Sequence, residues 1–361
     1  MLIYFLGTRG TVPTSGQGTM SICIDNKFLF DICPEFVHSM TKLIDRWKRT
    51  TNTDIQRLQS LYGKPSFSNI DHIFISHFHL DHWGGLRQLL TRAIMFELDM
   101  RVEKKKPIHI YVPKHSIEPF KKRTEFFFSF EDIDIKNPEI FLKQYLKIEL
   151  GEDIEKIAQI HVIDPDQPAI EIDNYKITAR NNKHMSGSMG FKLESISWKL
   201  NLNSLEKLGV PKGKILGTLQ KKGKIKYEGR EITREMVFTK NSVIFGYSGD
   251  TPFDPEFIKW FNDTQLLVHE STYFEHDPTF HSDVHTVFSD LITEIKKLER
   301  LLVFLPAHIS QRYTWDEIIH YIEEKKLLLP NIVVYPPKAM DIIQCDKGTV
   351  NIHSLDPNDR W

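Results

Sequence analysis

The sequence predicts an α/β fold, α+β in arrangement, of layered sheets covered by helices, and three observations predict it. Short β-branched and aromatic runs alternate along the whole chain with longer segments of helical apolar spacing. A dense run of metal-ligand residues stands where one such strand gives way to a helix. With 361 residues, 40% of them hydrophobic and 11% aromatic, the chain can bury one large core or two modest ones.

The elements follow in order. Strands are expected at 2–6, 20–24 and 27–31, then at 73–76, which runs into the ligand cluster. After it, Leu86, Leu89, Leu90, Ala93 and Ile94 fall on one face of a helix spanning 83–100. Residues 100–165 mix basic segments (Lys104-Lys105-Lys106 and Lys121-Lys122-Arg123) with a strand at 108–112 and a helix at 139–150. The second half repeats the theme, with strands at 175–179, 242–247, 265–269 and 301–305 and helices at 255–261, 285–298 and 315–326. One segment differs. Residues 205–231 are rich in glycine and lysine and poor in apolar residues, and are expected to project.

Charge and cysteine content exclude some classes. Lysine plus arginine number 47 against 48 for aspartate plus glutamate, so there is no bulk basic field and any polyanion site must be a local patch. Cys23, Cys33 and Cys345 match neither a disulfide framework nor a cysteine zinc cluster, which fits a reducing cytosol. No stretch approaches the roughly 18 uncharged apolar residues of a membrane span. The chain reads as soluble and cytoplasmic, with no membrane partner.

The run His77-Phe78-His79-Leu80-Asp81-His82 carries the chemistry. In extended chain residues i and i+2 point the same way, so His77 and His79 can grip one metal from one side. Asp81 and His82, entering the helix, can serve a second. Zinc takes imidazole and carboxylate ligands and keeps a position open for water in catalytic sites. Further ligands are sought at strand ends: His184, Asp250 in Tyr-Ser-Gly-Asp-Thr, and His308 in Leu-Pro-Ala-His-Ile-Ser. Asp250 could bridge, since a carboxylate has two oxygens. A lone histidine after a strand is more often structural than a ligand, whereas packing gives no reason to gather three histidines and an aspartate in six residues.

These motifs, with a histidine, a Ser-Gly-Asp turn and a strand-final histidine following in order, resemble the metallo-β-lactamase superfamily. Finer features narrow the resemblance to its ribonuclease Z (tRNA 3′ endonuclease) family. Gly-Val-Pro-Lys-Gly-Lys-Ile-Leu-Gly-Thr-Leu-Gln-Lys-Lys-Gly, from Gly209, is similar to that family's protruding arm. His308-Ile-Ser310-Gln-Arg312-Tyr313 is similar to its last histidine motif, His269-Glu270-Ser-Thr-Tyr to its His-Glu-Ala-Thr-Phe segment, and His285-Thr before a helix to its second catalytic histidine.

The resemblance implies an αββα sandwich over residues 1–336, with 205–231 as the arm and 337–361 as a C-terminal extension. It implies two Zn²⁺, with manganese or iron also possible on the same donors. His77, His79 and His184 would hold one, Asp81, His82 and His308 the other, with Asp250 between. Asp31 would orient a ligand histidine. The implied chemistry is phosphodiester hydrolysis by a two-metal-activated hydroxide, with Asp81 orienting it and His285, held by Glu270, protonating the departing oxygen. Lys212, Lys214, Lys221, Lys222, Lys224 and Lys226 of the arm would meet the phosphates of a tRNA precursor in a homodimer.

Three departures bear on the substrate. The loop that in the family carries Pro-x-Lys-x-Arg-Asn here reads Pro13-Thr-Ser-Gly-Gln-Gly-Thr, without the basic groups; Leu80 stands where glycine is common; and Lys214 replaces a proline of the arm. A hydrolase for a small phosphodiester, ester, lactone or thioester is therefore the competing expectation. A di-iron redox protein ranks behind both, because such proteins usually carry glutamate where His79 stands.

Overall fold

The computed structural model describes residues 1–14, 17–114, 137–185, 187–279, 283–346 and 348–355. The basic segment Lys121-Lys122-Arg123 and the end of the C-terminal extension, 356–361, lie outside the described residues.

Strand β1 (Leu2–Gly7) alternates its side chains between two cores, and this explains the layering. Leu2, Tyr4 and Leu6 face helices, while Ile3 and Phe5 face a second sheet. A shift of register by one residue would exchange the two sets, so the buried faces fix the pairing. The same alternation recurs in β3 (Phe28–Phe30) and β4 (His72–Phe74), where Leu29 and Ile73 join the helical side and Phe28, Phe30 and Phe74 the inner side.

The remaining strands are β2 (Ser21–Ile24), β5 (Ile108–Pro113), β6 (Ala158–Ile163), β7 (Ile170–Ile172), β8 (Tyr175–Asn181), β9 (Met189–Leu200), β10 (Lys224–Tyr227), β11 (Arg230–Thr233), β12 (Phe238–Tyr247), β13 (Leu266–Glu270), β14 (Val303–Ala307), β15 (Val333–Val334), β16 (Asp341–Asp346) and β17 (Thr349–Ser354). One sheet has the order β17-β16-β1-β2-β3-β4-β5-β6 and the other β15-β14-β13-β12-β9-β8-β7. Helices Phe36–Arg49, Leu86–Glu103 and Pro138–Leu150 cover the first sheet. Helices Pro255–Lys259, Phe288–Ile295 and Trp315–Lys325 cover the second, with Phe257, Leu291 and Ile318 in one core with Leu267 and Phe304 of the sheet. The result is the expected αββα sandwich. Among the described residues no helix is long and apolar enough to cross a membrane.

Two segments take definite form. Within 337–361, β16 pairs with β1 and β17 with β16, so this extension adds strands to the first sheet. In the arm region, helix Lys214–Lys222 and the β10–β11 hairpin, with Leu205, Val210, Leu219, Ile232 and Val237, build a small core of their own. This unit caps a ladder in which β9 and β12 pair from Leu200–Phe238 down to Phe191–Tyr247.

Candidate metal centre

Parallel pairing of β12, β13 and β14 brings their C-terminal ends to one edge, and β4 delivers the 77–82 run to the same edge from the other sheet. Asp250 follows β12 in a Ser248-Gly249-Asp250 turn. Gly249 has φ +58°, and a Cβ there would lie 2.7 Å from the Met189 carbonyl oxygen, so the turn demands glycine. Glu270 ends β13 and His308 follows β14. Asp31, after β3, and His308 both hold positive φ, +54° and +56°. Backbone strain of this kind persists only where surroundings enforce it. His308 N–H donates to Thr8 O at 2.8 Å, and Thr272 Oγ1 reaches the His308 carbonyl at 3.2 Å.

All seven expected metal ligands meet. The Asp250 Oδ2 oxygen lies 3.2 Å from His308 Nε2, 3.4 Å from His82 Nε2, 3.8 Å from His77 Nε2 and 3.9 Å from His184 Nε2. His82 Nε2 stands 3.4 Å from Asp81 Oδ2, and His79 Nδ1 stands 3.0 and 3.3 Å from the Nε2 atoms of His77 and His184. Three overlapping donor groups result: His77-His79-His184-Asp250 and Asp81-His82-His308, which share no residue, and Asp250-His285-His308, which draws on both and adds His285.

The outer hydrogen bonds decide which nitrogen each ring presents. His82 Nδ1 donates to Asp31 Oδ2 at 2.6 Å, His184 Nδ1 to Val284 O at 2.7 Å, and His308 Nδ1 to Thr272 Oγ1 at 2.9 Å. Ser76 Oγ donates to Asp31 Oδ2 at 2.7 Å and so accepts from His77 Nδ1 at 3.0 Å. Each of these four rings is left with Nε2 toward the centre, as metal-binding imidazoles require.

Cations fit this cluster. Among the described residues, Asp81 Oδ2, His82 Nε2, Asp250 Oδ1 and His308 Nε2 are buried without a hydrogen-bond partner. Burial and neighbouring imidazoles push His77 and His79 down, His79 to about 4, and burial pushes His184 down as well, so these rings are neutral. Against the cost of burial, His82 and His308 hold Asp81 and Asp250 well below the usual carboxylate range. His82, by contrast, is pushed up, because Asp250, Asp81 and Asp31 outweigh its burial; the proton it takes there is one a cation would displace.

Beside the cluster opens a cleft of about 720 Å³, lined by His79, Asp81, His184, Tyr273, His285 and Glu35 among others. His285 Nδ1 sits 3.0 Å from Glu270 Oε1. Burial opposes its charged form, but the Glu270 carboxylate overrides it and raises the imidazole to about 9. Glu270 is in turn held by Thr251 N–H at 2.9 Å and Thr272 Oγ1 at 2.7 Å. Leu80 is 63% exposed at the rim of this cleft. Sequence reasoning missed Ser76, Thr272 and Tyr247, whose hydroxyls organise the ligands. Ser76 and Thr272 sit next to motif residues, whereas Tyr247 in β12 carries no local signal.

The arm lysines are not at this site. Lys212, Lys214, Lys221, Lys222, Lys224 and Lys226 are all exposed, and Lys224 pairs with Glu231 at 3.2 Å. They lie at the far end of the β9–β12 ladder, roughly 30 Å along ten paired residues.

Comparison with solved structures places this arrangement. The metallo-β-lactamase fold protein YhfI from Bacillus subtilis covers 98% of the chain, and the chain 99% of it, with a TM-score of 0.52 at 14% identity. The chain has the metallo-β-lactamase fold. Human tRNase Z, short form, is similar over 96% of the chain and all of its own, with a TM-score of 0.50 and 16% identity. In sequence, ribonuclease Z of Thermococcus kodakarensis is 26% identical over 98% of both chains, and that of Methanococcus maripaludis 28% identical over 89% and 90%. The family described as anti-Pycsar protein Apyc1 matches residues 43–205. On this fold, with ribonuclease Z homologues along its full length and a cation-ready donor cluster, the chain is a metal-dependent hydrolase.

Proposed function

We propose that the chain is a phosphodiesterase of the ribonuclease Z type, acting on the 3′ end of tRNA precursors with two divalent cations held by the ligand sets above. The observation that carries this reading is the Asp250 carboxylate, one oxygen of which faces the Nε2 atoms of four histidines from three separate segments. Imidazole and carboxylate donors favour zinc, and the same set admits manganese or iron. Bound cations supply Lewis acidity, polarising phosphoryl oxygens and making water acidic.

The chain's own residues do the rest. Asp81 lines the cleft with a buried, unpartnered oxygen and can accept a proton bond from the attacking water. His285, charged beside Glu270 and lining the same cleft, holds a proton for the departing oxygen. His285→Ala should lower turnover of diesters with alkoxide leaving groups about 10² to 10³-fold, and spare those with nitrophenolate. Equal loss on both classes would remove the acid role.

Among the described residues, Lys212, Lys214, Lys221, Lys222 and Lys226 have no ion-pair partner, which suits phosphates of a folded RNA. Their distance from the cluster of the same chain fits a homodimer in which one arm serves the other subunit. A second reading, a small phosphodiester, ester, lactone or thioester as substrate, has one observation in its favour: among the described residues, no lysine or arginine lines the catalytic cleft. The test is incubation of the purified protein, its mass followed by light scattering, with a tRNA precursor bearing a 3′ trailer and with a chromogenic phosphodiester. Cleavage after the discriminator base by a dimer is expected; turnover of the small diester alone would select the second reading.

A further inference from the structure

The basic groups that the Pro13 loop lacks have counterparts on the loop's other side. Residues 9–14 form a wall: Thr11 and Pro13 line the catalytic cleft, while Arg9 and Thr14 line a second cleft of about 1000 Å³. The wall is anchored to the metal centre, because Arg9 bridges to Ile309 and a Cβ on Gly10 would lie 3.3 Å from the His308 ring.

Two cations face this second cleft, and among the described residues neither has a carboxylate within ion-pair reach. Arg9 is only 5% exposed; its Nη2 donates to Tyr313 O at 3.0 Å and its Nε to Thr14 Oγ1 at 3.4 Å, while its buried Nη1 bonds nothing among the described residues. A buried charge with an unmade bond is costly, and an anion is what would offset the cost. Lys338 lies with its ammonium 4.5 Å over the Trp315 ring, on a turn tied back through Ala339 N–H to Gln17 Oε1 at 3.0 Å. The facing wall is different. Asp316 and Glu323 of helix Trp315–Lys325 present carboxylates, of which Glu323 is paired with Lys326.

We propose that this cleft is a nucleotide subsite. It takes a phosphate at Arg9 and Lys338 and the hydrogen-bond donors of a base or ribose at Asp316, one step along the substrate strand from the reacting phosphodiester. The proposal rests on the phosphodiesterase reading for its place in the substrate, but not for the binding itself. A cleft with cations at one wall and acceptors at the other suits a nucleotide better than a bare phosphate, which the carboxylates would repel.

The test follows the Trp315 indole N–H signal, assigned with Trp315→Phe, while adenosine monophosphate is titrated into the metal-loaded protein. The signal should shift saturably, and Lys338→Glu should weaken the binding at least tenfold and raise the KM for a short oligoribonucleotide by a similar factor. An unmoved Trp315 signal, or equal binding by Lys338→Glu, overturns the subsite. Binding that depends on Lys338 without any change in that KM overturns its place in the substrate. Wild-type turnover of a chromogenic phosphodiester tests the underlying reading separately: if it is absent while the Trp315 shift persists, the phosphodiesterase assignment fails and the subsite stands.

Discussion

Replacing Asp250 by alanine should abolish hydrolysis, lowering turnover of a phosphodiester by roughly 10³-fold or more, and should strip cations from the protein. The magnitude follows from position. The Asp250 carboxylate is 2% exposed and reaches histidines of both the His77-His79-His184 and the Asp81-His82-His308 groups, so its removal unbalances both at once. Lewis-acid stabilisation of a phosphoryl transition state amounts to several kcal/mol, and about 1.4 kcal/mol is a factor of ten in rate. Asp250→Asn should behave almost as badly, since it keeps the shape and loses the charge that offsets the cations. Stability should fall as well. Without cations the carboxylate is already held ionised by His308 and His82 against the cost of its burial, so the metal-free variant should unfold at a lower denaturant concentration than metal-free wild type. The difference should widen when both are loaded with cations. Elemental analysis, turnover and denaturant titration of both forms decide it; a variant retaining full metal content and turnover would remove Asp250 from the centre.

How much of this was legible before the fold was known depends on range. The run from His77 to His82 is local, and its density alone pointed to metal. His184 and His308 were ambiguous singly, because the contacts that orient them, Val284 O and Thr272 Oγ1, come from 100 and 36 residues away. Asp31 ends a strand, where a polar residue needs no site to explain it. Its role is fixed by Ser76, His82 and Tyr247, separated from it by 45, 51 and 216 residues, which no local pattern contains. The helix Phe36–Arg49 has Phe36, Met40, Leu43 and Trp47 at helical spacing and was within reach of pattern reading. Strand β9 was harder. Its first half alternates cleanly with Met189, Phe191 and Leu193 buried, but beyond Glu194 it leaves the sandwich to carry the arm, and the apolar positions pass to the other face, with Trp198 and Leu200 packed on the arm's small core. The tail shows the same limit: β16 is apolar because it lies beside β1, some 340 residues earlier in the chain.

Asp31→Asn should destabilise the fold by about 3–5 kcal/mol and weaken cation binding 10 to 100-fold, without abolishing it as Asp250→Ala should. The Asp31 carboxylate is fully buried and accepts four hydrogen bonds: Ser76 N–H at 2.7 Å on Oδ1, and on Oδ2 Ser76 Oγ at 2.7 Å, Tyr247 OH at 2.6 Å and His82 Nδ1 at 2.6 Å. An asparagine has one acceptor oxygen and a donating NH₂. Placed toward Ser76 N–H, the NH₂ meets a fixed donor; flipped, it meets the His82 Nδ1–H and two hydroxyls that must turn round to accept. Either orientation sets donor against donor where water cannot reach. Backbone strain does not confound the comparison, because asparagine tolerates the φ of +54° that Asp31 adopts. Alanine there would add the left-handed penalty, so asparagine isolates the hydrogen bonds. The effect on cations runs through His82: without a carboxylate on Nδ1, the ring loses both its fixed tautomer and part of its basicity. A denaturant midpoint and a metal titration measure the two consequences independently. An Asp31→Asn protein as stable as wild type would mean that its donors find other partners, and the network drawn here around His82 would be wrong.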